Sequence, residues 1–190
     1  MTPIPISFAA GEVGAWEIES IEAISGPALA PAARLAMIDA QGPLPGQTTW
    51  ILRGTTSNTR YSTRSELARL AERQAGLGRP HASCGVLIPI RKSAAWWAMA
   101  QDERRAILEE KSRHIAIGLE YLPAIARRLI HSRDLGQPFD FLTWFEFAPE
   151  HADAFQILLA RLRETVEWRH VEHEVEIRVS RTVEAIGPGR

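Results

Sequence analysis

The chain has 190 residues, 45% hydrophobic and 24% charged, with a formal net charge of −1. That profile fits a globular protein long enough to bury a sizeable core. The intermixed charges argue against a nucleic-acid partner, and no apolar run approaches the roughly 20 residues that span a bilayer.

Segment 14–24 (GAWEIESIEAI) alternates Trp16 and Ile18 with Glu17 and Glu19, the pattern of a half-buried strand. A Pro/Ala-rich stretch follows, and 48–53 (TTWILR) is a second strand. Residues 63–76 form a helix with Leu67, Leu70 and Ala71 on one face, and 84–90 a short apolar strand. Asp102 caps a helix running to about 118, its acidic first turn suiting the dipole. Residues 124–133 read as a strand, 134–138 (DLGQP) as a turn and 139–147 (FDFLTWFEF) as an aromatic strand. An amphipathic helix over 149–165 turns Phe155, Leu158, Leu159 and Leu162 inward. In 170–179, Val171, His173, Val175, Ile177 and Val179 alternate with His170, Glu172, Glu174, Glu176 and Arg178, a polar face expected in solvent.

From residue 84 onward the order is strand–helix–strand–strand–helix–strand, a ferredoxin-like unit. The first half reads as a reduced copy. The expected fold is α+β: two ferredoxin-like subdomains, 1–83 and 84–183, joined into one α+β barrel with outer helices and an interior cleft. Residues 184–190 are expected to be a flexible tail. The start MTPIPISFAAGEVGAW lacks the features of a secretory signal. Cys84 is the sole cysteine, so no disulfide forms within the chain. Both point to the cytoplasm.

Nucleotide-binding, metalloprotease and serine-hydrolase motifs are missing. His170 and His173, three apart on a strand, point to opposite faces and do not form a metal site. His114, His131 and His173 all lie on partly apolar faces, and periodicity does not choose between them. Arg127 and Arg128 are adjacent on a strand, so one points inward. A guanidinium there needs either a core carboxylate or an anionic ligand.

The stretch IPIRKSAAWWAM…DERRAILEEKSRHIAIGLEYLPAIARRLIHSRDLGQPFDFLTWFEFAPEHADAF, continuing through RETVEWRHVEHEVEIR, resembles the haem-binding half of the chlorite dismutase family. Weaker matches are GAWEIESI, ILRG, TRY and RQAGLGR, and the length is similar to the family's short, dimeric branch. The resemblance implies a dimeric α+β barrel superfamily fold with haem b in the C-terminal half and a homodimer. His114 would be the proximal iron ligand, Glu167 the carboxylate on its other ring nitrogen, and Lys92 the partner of that glutamate. Arg127 would be the distal arginine held by Gln74, with Pro123, Ile125 and Leu129 keeping that side dry. Arg53, Tyr61 and Trp96 would contact the haem propionates. The implied reaction converts chlorite to chloride and dioxygen through ferryl haem and transient hypochlorite. Rival functions are peroxidase or coprohaem decarboxylase activity on the same fold, or a non-catalytic haem carrier or sensor. Decarboxylase relatives are longer and lack the distal arginine. The GxxDG signature of dye-decolourising peroxidases is absent.

Overall fold

A computed structural model describes residues 3–39, 42–56 and 61–181. The expected tail at 184–190, and Thr59 and Arg60 of the TRY match, lie outside them. Eight antiparallel strands close a barrel: β1 (Ile4–Gly11), β2 (Trp16–Ser25), β3 (Arg34–Asp39), β4 (Thr48–Thr56), β5 (Cys84–Lys92), β6 (Ala126–His131), β7 (Phe141–Phe147) and β8 (Val171–Ser180). Around the barrel they run β1-β3-β2-β8-β5-β7-β6-β4. Taken from β4 through β1 and β3 to β2, the first half follows the order fourth, first, third, second. The second half repeats it as β8, β5, β7, β6.

The sequence reading missed β1 and β3. In β1, Ala9 and Ala10 are both buried, so small apolar side chains erase the alternation. Strand β3 emerges from the Pro/Ala-rich stretch and has no strong β-formers beyond its single isoleucine. The halves meet where β2 pairs with β8 and where β4 meets β6, the latter through one registered pair, Thr55 and His131. Gly54 permits that second closure. A Cβ there would sit 2.3 Å from Ile130 Cγ2 and 2.7 Å from the His131 carbonyl.

Described core side chains pack the barrel interior, and the cavity lined by His114 lies outside it rather than forming the expected interior cleft. Phe8, Trp16, Leu35, Leu87, Trp144 and Ile177 belong to this packing. The T-shaped contact of Trp16 with Trp144 has ring centroids 5.1 Å apart, a favourable aromatic geometry. A second core lies outside the barrel, where Val86 and Ile88 of β5 and Phe145 and Phe147 of β7 meet helix α5 (Ala152–Arg163) through Phe155 and Leu158.

The outer face of β8 is solvated at Glu172 but not at the two glutamates that follow. Glu174 and Glu176 are buried, and Arg163 of α5 donates to both at 2.6 Å. Helix α1 (Arg64–Arg73) begins at Thr63, whose side chain accepts from Glu66 N–H while Glu66 accepts from Thr63 N–H. Although α1 follows the first half, it packs on the second, against helix α4 (His114–Glu120).

Candidate active site

The predicted helix over 102–118 is three pieces. After the short α2 (Ala94–Ala98), α3 (Gln101–Arg105) runs into a π-helical turn over Ala106–Lys111, and the chain breaks before α4. Asp102 is not the cap. Ala100 holds that position, and Glu103 accepts from its N–H at 2.7 Å. Arg113 takes a left-handed conformation (φ 54°), uncommon for a side chain of its size, and α4 restarts at His114. Arg113 supplies no side-chain cap. Glu109 of the π turn does so instead, accepting from Ile115 N–H at 2.6 Å and Ala116 N–H at 3.2 Å. The helix break therefore fixes the backbone of His114.

The His114 ring is held by a buried chain of charges. Its Nδ1–H donates to Glu167 Oε2 at 2.6 Å, and Lys92 Nζ donates to Glu167 Oε1 at 2.7 Å. The Glu167 backbone N–H donates to Ser112 Oγ at 2.9 Å, tying this residue to the helix break. Burial by itself would raise the Glu167 pKa, but His114 and Lys92 hold it down to about 2. An ionised carboxylate only accepts hydrogen bonds, so the shared proton belongs to Nδ1. In the neutral imidazole, Nε2 is then a free lone pair. Lys92 lies under the Trp96 ring, 4.7 Å from its centroid, and its backbone N–H donates to Asp140 Oδ2 at 2.7 Å.

His114 lines a cavity of about 320 Å³ between the outer face of the sheet and the helices. Its walls are mainly apolar and include Ile88, Ile125, Leu129, Phe145 and Leu158. Lys92, Trp96, Tyr61, Gln74, Glu167 and Arg127 share this lining. Arg127 reaches it because its β6 position pairs with Phe145, placing both on the outer face. Burial pushes its pKa down while Glu109 pulls the other way, and the guanidinium stays charged. No carboxylate among the described residues forms an ion pair with it.

The structure thus gathers seven of the eight residues singled out from sequence. Arg53 is the exception: it is exposed on β4 and absent from the cavity wall. Gln74 does not hold the guanidinium of Arg127. Its Nε2–H donates to the Arg127 backbone carbonyl at 2.8 Å, at the edge of β6. Ile125 and Leu129 line the cavity, whereas Pro123 lies outside the lining and its carbonyl accepts from Arg79. Of the other histidines, His173 is buried against Phe139, with Nε2 at 2.8 Å from the Pro27 carbonyl. His131 lines the cavity edge-on to Phe141.

A family model for chlorite dismutase matches residues 46–183. The chain belongs to the chlorite dismutase family. The dimeric chlorite dismutase of Nitrobacter winogradskyi is similar at 55% identity and a TM-score of 0.87, over 93% of this chain and 99% of that one. A chlorite dismutase mutant from Candidatus Nitrospira defluvii shares the fold at 19% identity and a TM-score of 0.67, over 95% and 92% of the two chains. The chlorite dismutase of Ideonella dechloratans is 37% identical over 60 residues, 32% of this chain and only 20% of that relative. The sequence reading missed Glu109, which caps α4, and Gly118 and Trp168, which line the cavity, the Trp168 ring stacking on His114 with centroids 6.5 Å apart. The spacing of Glu109 to the N–H groups of α4 was the one available signal for a cap, and the assumed unbroken helix hid it.

Proposed function

We propose that the chain is a haem b-dependent chlorite dismutase (chlorite O2-lyase) that converts chlorite to chloride and dioxygen, acting as a homodimer in the cytoplasm. The supporting observation is the buried Lys92–Glu167–His114 chain, which presents His114 Nε2 to an apolar cavity that also receives the guanidinium of Arg127. The residues suit an iron porphyrin. Trp96 Nε1 is a buried donor with no partner among the described residues, in the wall of the same cavity, and suits an anionic substituent such as a propionate. His114 would ligate the iron, with Trp96 and Tyr61 near the propionates. When bound, the haem supplies an iron centre that accepts and returns an oxygen atom.

The protein's own residues divide the remaining work. Glu167 fixes the His114 tautomer and strengthens it as a donor, and Lys92 keeps Glu167 ionised. Ile125 is buried in the wall beside Arg127 and keeps water from that side, so the charge acts through a lowered dielectric, while Leu129 is an exposed part of the lining. Arg127 attracts the chlorite anion and retains the hypochlorite-level fragment until dioxygen forms. Gln74 holds the strand carrying Arg127 through the backbone. The architecture is read as two ferredoxin-like units, 1–83 and 84–183, the first reduced.

The test is to load the purified protein with haem and add chlorite at an oxygen electrode. Dioxygen evolution, with the Soret band lost in His114→Ala, is expected. Full haem loading without dioxygen would instead support a carrier or sensor. Peroxide-driven decarboxylation of bound coprohaem would move the assignment to that rival.

A further inference from the structure

We propose that Gly118 is a positioning residue for Arg127, its missing side chain forming the seat on which the guanidinium rests. This deepens the anion-binding reading of Arg127 and rests on it. Gly118 is buried within α4, one turn after His114. A Cβ built there would lie 2.9 Å from Arg127 Nη1, 3.3 Å from Cζ and 3.5 Å from Nη2, so the guanidinium lies against the bare backbone. The glycine has no backbone reason to be there. Its φ is not positive, unlike those of Gly26, Gly78 and Gly136. In a helix interior glycine is less stable than alanine, so the position costs stability unless the space is used.

The group meeting that space is the end of a flexible side chain, so a methyl group would displace the guanidinium without disturbing the barrel. One helix then carries both the iron ligand at its first residue and the support of the anion-binding charge one turn later. Displacement of α4 moves both together.

The experiment is a double-mutant cycle of Gly118→Ala and Arg127→Ala, read two ways. On haem-free protein, Gly118→Ala is expected to raise Tm by about 2 °C more in the Arg127→Ala background than alone, because helix propensity acts there unopposed. On haem-loaded protein with nitrite as the probe anion, Gly118→Ala is expected to weaken binding roughly tenfold. It should have no further effect once Arg127 is absent. Equal effects in both backgrounds, in Tm and in nitrite affinity, would overturn the seat. If Arg127→Ala alone leaves nitrite affinity unchanged, the anion-binding reading fails. The Tm cycle then decides the seat by itself.

Discussion

Glu167→Gln isolates the contribution of the buried charge chain. The Glu167 and Lys92 side chains are 3% and 2% exposed and 2.7 Å apart, so the substitution leaves an ammonium buried without its counter-charge. Removing one partner of such a pair costs about 3–5 kcal/mol, more than the pair itself is worth over an apolar replacement. The drop of the Glu167 pKa from 4.5 to about 2 gives a similar scale, about 3 kcal/mol. For a chain of this size that is a fall in Tm of roughly 10 °C. Thermal unfolding of haem-free protein by circular dichroism measures it without cofactor binding. Adding Lys92→Met removes the stranded charge while keeping an unbranched stem under Trp96, and should recover most of the loss. A Glu167→Gln loss below about 1 kcal/mol, or a double variant as unstable as the single one, would refute the reasoning.

The pH dependence follows from the same group. Its folded pKa is depressed, so its stabilisation is complete above about 4.5 and is lost as pH falls through about 2. Glu167→Gln should flatten the acid limb of haem-free stability in that window, and an unchanged slope in acid titrations would contradict this. Arg163→Leu removes a shared partner of two buried carboxylates, Glu174 and Glu176, and should cost about 3 kcal/mol in urea unfolding. Arg127→Ala should keep part of the initial chlorite turnover but stop sooner, releasing less dioxygen per haem. An unchanged working lifetime would remove the retention role.

Strand β7 and helix α5 were legible because each obeys a single period. The aromatic alternation before Phe147 and the stripe of Phe155, Leu158 and Leu162 survive intact in β7 and α5. Strand β1 was not legible, since buried alanines carry no alternation signal. The polar face of β8 misled for a different reason. Glutamates on alternate positions imply solvent until an arginine from a distant helix arrives to bury them. At the candidate site, composition and period left three histidines equal. His114 was separated from the others by residue types recognised together from the family resemblance, and in space by Glu167, 53 positions away. Arg53 was assigned by that resemblance alone, and nothing in its strand pattern directed it to the cavity.

The repeated strand order has a consequence for stoichiometry. Both halves run through the same sequence of strands, as duplicated units do, yet α1 leaves its own half to pack on α4 of the other. A sheet face becomes a cofactor pocket where helices roof it, and among the described residues α1 joins α4 over the second half. A spectral titration of the purified chain with haem should therefore break sharply at one equivalent. The first half should add no second site.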